Sequence, residues 1–222
     1  MSEHAVHEAD GDVVFPQFET LEQQQESYIV GMWTFLVTEI MFFGGLFLVY
    51  TLYRWKYSDV WASMTTQLDW KLGGVNTAIL LLSSFFIAMA VHCAQKKRER
   101  AQMWWLTGTI ACAFGFLIIK YFEYKAKLQP DHYLFPNWAF TAPAGVEEGP
   151  ARLFMSLYFA MTGLHGIHVA IGILVMIALT VMTKQKRPAI SDYVPTEMIG
   201  LYWHFVDLVW IFLYPLFYLI PS

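Results

Sequence analysis

Five uninterrupted apolar runs, each long enough to cross a bilayer, decide what this chain can fold into. A spanning helix needs about 20 mainly apolar residues, because each rises about 1.5 Å through a hydrocarbon layer about 30 Å thick. The runs cover 28–53, 75–95, 103–124, 153–182 and 198–220 of the 222 residues, behind a polar, acidic tail at 1–27. Inside hydrocarbon every backbone amide must be satisfied within its own segment, which leaves helices. The expected fold over 28–222 is all-α, a polytopic transmembrane bundle of five helices. Only 14% of residues are charged, against about a quarter in soluble domains. The net charge of −4 gives no reason to expect a nucleic-acid partner. The tail lacks the basic and then apolar pattern of a secretory signal.

An odd number of spans puts the termini on opposite sides. The loop after the second run carries Lys96, Lys97, Arg98 and Arg100, and the loop after the fourth carries Lys184, Lys186 and Arg187. Short basic loops stay in the cytoplasm, so the N-terminus is expected inside and the C-terminus outside. Trp33, Trp55, Trp61, Trp70, Trp104, Trp105, Trp138 and Trp203 fall at run ends or in adjoining loops and read as an interfacial aromatic belt. Pro130, Pro136, Pro143 and Pro150 make the long connection after the third run irregular. Cys93 and Cys112 sit within apolar runs without metal or disulfide spacing and read as small buried hydrophobes.

Ionisable groups within spans are costly, so each is a candidate functional residue. Glu39 lies near the middle of the first run. It is either a proton-relevant or lipid-contacting carboxyl, or a structural hydrogen-bonding group tied to a neighbouring helix. Glu123, with Lys120 and Lys127 one turn away on either side, reads as a solvated or interfacial helix end with i,i+3 and i,i+4 pairs. His165 and His168 share one helix face in GLHGIH. Two histidines one turn apart cannot take opposite sides of a haem, so interhelical hydrogen bonding at a crossing eased by Gly163 and Gly166 is the simpler reading. His204 and Asp207 are also i,i+3, and one can orient the other, but no nucleophile or metal set completes a catalytic site. His92 reads as interfacial, and His4 and His7 as solvated.

These segments resemble a known family. TFLVTEIMFFGGLF, GLHGIHVAIG and YWHFVDLVWIFLYPLFY, with VNTAILLLSS and the Glu123–Tyr124 pair between them, are similar in order and spacing to cytochrome c oxidase subunit III. The resemblance covers about 28–220. It implies membership of a proton-pumping haem-copper complex of the aa3 type that reduces dioxygen to water in aerobic respiration. Subunit III itself holds no redox centre, so haem and copper would sit in partner subunits. It would be an accessory chain that binds phospholipid, stabilises the catalytic subunit I, meets subunit II, and sustains proton uptake over many turnovers. By match, Glu39 falls on the intramembrane carboxylate that carbodiimides modify in other members. His165, His168, His204 and Asp207 fall on signature positions. A bacterial plasma membrane is the expected location, and the region beside Glu39 the expected lipid site.

Seven-helix members carry two further N-terminal helices that wall a lipid-filled cleft, and the acidic tail stands in that place here. The cleft is then expected to be absent or walled by another subunit. Five-helix relatives include quinol oxidase subunit III and a nitric-oxide-reductase-associated homologue, and both stay open as alternatives. A small-residue face of the fourth run, with Gly163, Gly166, Ala170 and Gly172, is expected to meet the catalytic subunit. A polytopic transporter is the rival from another class, but the inverted repeats and broken helices usual there are not visible.

Overall fold

The computed structural model describes residues 8–9, 12–14, 17–128, 134–137, 140–185 and 193–219. His4, His7, Pro130, Trp138, Lys186, Arg187 and residue 220 lie outside them. Six helices follow in order: α1 Leu21–Lys56, α2 Ser58–Thr65, α3 Trp70–Gln95, α4 Glu99–Lys127, α5 Glu148–Lys184 and α6 Val194–Tyr214. A π-helical turn at Pro215–Leu219 continues α6. A two-residue ladder pairs Glu8 with Val13 and Ala9 with Asp12. Among the described residues, five helices are long and apolar enough to cross a membrane: α1, α3, α4, α5, and α6 with its π-helical turn. The chain is therefore an all-α membrane bundle.

The helices α1 and α3 begin before their apolar stretches, where side-chain caps and not hydropathy set their starts. At the start of α1 the Thr20 hydroxyl accepts from Gln23 N (3.1 Å), while Gln23 Oε1 accepts from Glu19 N (2.9 Å). That start lies seven residues before the apolar run, and the 36 residues of α1 reach about 54 Å, well beyond a hydrocarbon core. Asp69 caps α3 by accepting from Lys71 N and Leu72 N. The short helix α2 lacks a run of its own and buries Trp61, Met64 and Thr65 against the bundle.

The turn from α3 to α4 is a Schellman closure. Arg98 N donates to Cys93 O and Lys97 N to Ala94 O, both at 2.9 Å, with Lys97 at φ 54°. A residue with a Cβ in that region carries backbone strain, and glycine is the usual occupant. The turn sets α3 and α4 antiparallel with their packing seams facing. Gly73, Asn76, Leu80, Ser83, Ile87 and Ala90 are buried on α3. The buried positions of α4 (Gln102, Leu106, Thr109, Ala113, Phe116, Lys120, Glu123, Lys127) also alternate steps of three and four. This is the heptad signature of helices crossing at a shallow angle. Beside this pair, α6 is buried round most of its circumference, whereas α1 packs chiefly through Leu36, Phe43 and Tyr50, spaced by seven.

Two positions expected at the membrane interface are interior. Trp61 is buried under α1, and Trp203 is fully buried, with its Nε1–H donated to Ser83 Oγ at 3.0 Å. Nearness to a helix end does not fix which way a side chain faces. Trp33, Trp55, Trp70 and Trp104 do face outward. Cys93 is buried and Cys112 half-buried, both as free thiols.

Gly172 is committed inside the chain. A Cβ there would come within 2.7 Å of the Trp203 ring, so this glycine does not serve a partner-facing stripe. Gly172→Ala should force the indole aside at a cost of about 1–3 kcal/mol, lowering the unfolding midpoint of the purified complex. Gly166→Ala, where a Cβ meets nothing within 4 Å, should leave it unchanged. Lys97→Gly should raise stability by about 0.5–1 kcal/mol by removing the left-handed strain, read in the same unfolding assay.

Candidate functional site

Two polar clasps hold opposite ends of the bundle. At one end Gln102 Nε2, in the first turn of α4, donates to Thr196 Oγ1 at the start of α6 (2.9 Å), and both are buried. The other clasp closes around Glu123, where α4 meets α5 and the π-helical turn. Glu123 Oε1 accepts from Tyr158 Oη (2.8 Å), Tyr218 Oη (2.6 Å) and Lys127 Nζ (3.1 Å), while Oε2 accepts from Lys120 Nζ (2.8 Å). Lys120 also donates to Tyr218 Oη at 2.7 Å and lies 4.6 Å above the Trp210 ring centroid. Tyr124 and Thr162 add a hydroxyl pair at 2.5 Å between α4 and α5.

The expected i,i+3 and i,i+4 pairs of Glu123 are present, but the reading of a solvated or interfacial end is corrected. Glu123 is only 3% exposed, and Lys120 and Lys127 are buried with it. All three lie on the seam that buries Leu106, Ala113 and Phe116, so the packing register of α4 carries them inward. That three–four spacing is readable in the sequence and could have identified the two lysines. Tyr158 and Tyr218, far away in the chain, gave no such signal.

Glu39 and His168 meet within the membrane-spanning part, with Oε2 and Nε2 3.1 Å apart. His168 Nδ1 lies 2.9 Å from Leu164 O. A carbonyl can only accept, so Nδ1 carries a proton and donates there. The Glu39–His168 contact then holds one further proton, either on the imidazole facing a carboxylate or on the carboxyl facing a neutral ring. The pair is neutral overall in both arrangements. Tyr202 Oη donates to His168 O (2.9 Å), and the Phe43 ring stands edge-on to the imidazole at 5.3 Å, so α1, α5 and α6 are joined at this point.

The other signature residues separate. His165 is buried between Phe116 and Trp210, with ring centroids 5.5 and 5.3 Å away. It therefore makes no joint site with His168, one turn along α5. His204 turns to α3, where Nδ1 lies 2.8 Å from Ser84 Oγ. Asp207 points into the bundle beside Ser83 and Ser84 of α3. The His204–Asp207 hydrogen bond that their spacing allows is not formed, although both side chains lie beside Ser84. His92 is exposed at the end of α3. Among the described residues no three His, Cys, Asp or Glu side chains converge as a metal set.

Removing the shared acceptor of the Glu123 clasp should be far worse than trimming one donor. Glu123→Leu leaves two buried lysines without their counter-charge and should cost about 3–5 kcal/mol, enough to prevent accumulation of the chain in membranes. Tyr218→Phe removes one hydroxyl and should cost about 1–3 kcal/mol, leaving a chain that accumulates but unfolds at lower temperature.

The family profile for cytochrome c oxidase subunit III matches residues 19–222. A cytochrome c oxidase subunit 3 of Thermostichus vulcanus is 31% identical over 195 residues, covering 86% of this chain and 87% of the relative. A probable quinol oxidase subunit 3 of Staphylococcus saprophyticus is 28% identical over 193 residues, covering 86% and 88%. A haem-copper oxidase subunit I+III of Aeropyrum pernix is 28% identical over 198 residues, which cover 85% of this chain and 22% of that longer one. The chain therefore belongs to the cytochrome c oxidase subunit III family of haem-copper oxidases.

Proposed function

We propose that this chain is the accessory subunit of an aa3-type, proton-pumping cytochrome c oxidase, in which it braces the catalytic subunit I and the proton-uptake region. The observation that carries this reading is the use made of its intramembrane polar groups. Glu39 and His168 neutralise one another across α1 and α5, and Glu123 gathers donors from α4, α5 and the π-helical turn. Such groups fix helices in place. A relative whose name joins subunits I and III supports a direct contact with subunit I. Contact with subunit II, haem and copper in those partners, and a bacterial plasma membrane with the N-terminus inside complete the proposal.

Phospholipid is proposed to lie beside Glu39. An apolar groove of about 260 Å³ runs between α1 and α6 there, lined by Ile40, Phe43, Phe47, Phe205, Leu208 and Phe212 among others. Its apolar lining suits an acyl chain. The relative named as a quinol oxidase subunit favours a second reading, in which the complex takes electrons from quinol.

Purification of the tagged chain from native membranes should bring a haem-bearing partner with a Soret band, and its loss would end the oxidase reading. Oxygen uptake by that complex should respond to reduced cytochrome c, whereas a response to quinol alone would select the second reading. Glu39→Gln can still bond His168 and should leave initial oxygen uptake and proton release near the parent level. Glu39→Ala strands the imidazole Nε2 and should shorten the active lifetime over many turnovers. Immediate loss of pumping in Glu39→Gln, with the complex intact, would overturn the bracing role.

A further inference from the structure

The clasp around Glu123 leaves Lys120 incompletely used. Its ammonium donates to Glu123 Oε2 at 2.8 Å and to Tyr218 Oη at 2.7 Å, and an ammonium has three N–H groups to give. The charged groups that act on it are Glu123 and the like-charged Lys127, while Asp69, at the cap of α3, acts on Lys127. Two buried ammoniums thus share one buried carboxylate, and Asp69 offsets the excess only on the Lys127 side.

Lys120 also lines a groove. A cleft of about 300 Å³ lies between α4 and α5, bordered by Leu117, Lys120, Tyr124, Gly163, Gly166 and Ala170 among others. It is separate from the groove beside Glu39, which runs between α1 and α6. The two helices are antiparallel, since Tyr124 meets Thr162 while Phe116 meets His165. Lys120, Tyr124 and Thr162 therefore stand at the end where the third apolar run closes, and Leu117 and Ala170 lie roughly 10–12 Å deeper at 1.5 Å per residue. Glycine makes the floor between them. A Cβ on Gly166 would meet nothing within 4 Å, and one on Gly163 only the Tyr124 hydroxyl at 3.9 Å.

The polar end of the groove asks for an acceptor. Thr162 Oγ1 donates to Tyr158 O, so Tyr124 Oη donates to Thr162 and neither hydroxyl keeps a hydrogen for the groove. Of the three polar residues there, Lys120 alone has a donor left. The matching ligand is thin and apolar over most of its length and ends in a free, negatively charged acceptor at the edge of the hydrocarbon. A spanning helix spends its carbonyls on its own amides, whereas the phosphate oxygens of a phospholipid are unspent and form charge-assisted hydrogen bonds.

We propose that the α4–α5 groove binds one phospholipid of the leaflet at the Glu123 end, with an acyl chain on the Gly163–Ala170 floor and the phosphate drawn to Lys120. The small-residue side of α5, read from the sequence as a face for the catalytic subunit, then meets lipid along Gly163, Gly166 and Ala170.

Photolabelling of the complex purified from native membranes tests this. The complex is loaded with a phosphatidylglycerol carrying a diazirine in its acyl chain, washed with detergent to remove loosely held lipid, and illuminated. Label should fall on the peptide that contains residues 163–170. Gly166→Leu, which fills the floor from a position with open space, should reduce that label about tenfold or more. Gly115→Leu, also with open space but outside the groove, should leave it unchanged. A diazirine diacylglycerol, which lacks the phosphate, should label about tenfold less under the same wash. Absence of label from residues 163–170 in the parent would overturn the proposal, and that result does not depend on any variant assembling. Equal labelling by the diacylglycerol would overturn it by removing the phosphate contact. Release of a partner subunit by Gly166→Leu would overturn it by making the groove a protein interface.

Discussion

Glu123 accepts four hydrogen bonds from two lysines of its own helix and two tyrosines from elsewhere in the chain. Much of the bundle is arranged so that this one carboxylate can sit where it does. Its donors come from α4, α5 and the π-helical turn, so it ties the end of the chain to the end of the third span. A charge taken out of water needs all of its lone pairs used, and breaking such a set costs more than forming it gains. The consequence is specificity of arrangement. Only one axial position of α5 against α4 brings Tyr158 to Glu123, and the wider π-helical turn at the end of α6 brings Tyr218 there.

From that fixed end the remaining order follows. The α3–α4 pair is set by its short turn and facing seams, and α6 fills the space between this pair and α5. Close approach of α5 and α6 depends on Gly172, which leaves room for the Trp203 ring. The helix α1 is held more lightly, by one apolar stripe, by the Glu39–His168 bond and by the hydrogen bond that Tyr50 Oη donates to Leu216 O. A peripheral helix that carries a polar pair and an apolar groove suits the bracing role proposed for this chain.

Membrane class and helical fold were legible because hydrocarbon imposes one local rule, internal satisfaction of the backbone, on any long apolar run. The signature segments carried the family for a different reason. Glu39, His165, His168, His204 and Asp207 stand at fixed spacings within apolar runs, where each polar residue is conspicuous. What those residues touch was much less legible. Glu39 was open between a lipid-facing group and a structural one, and its partner, His168, lies 129 positions further along the chain. Glu123 read as solvated because its neighbours in sequence are charged and it lies near a run end.

The sequence by itself determined the number of apolar spans, their helical form and the membership of a family. Those depend on interactions within a few residues or within one turn of helix. The tertiary structure alone decided which face of each helix is inside, and so which polar groups meet. It turned Trp61 and Trp203 inward, parted His204 from Asp207, and made a buried four-donor clasp of Glu123. Rotation of a transmembrane helix about its own axis costs little in uniform hydrocarbon. Only contact with the other helices fixes it, and that contact is written across the whole chain at once.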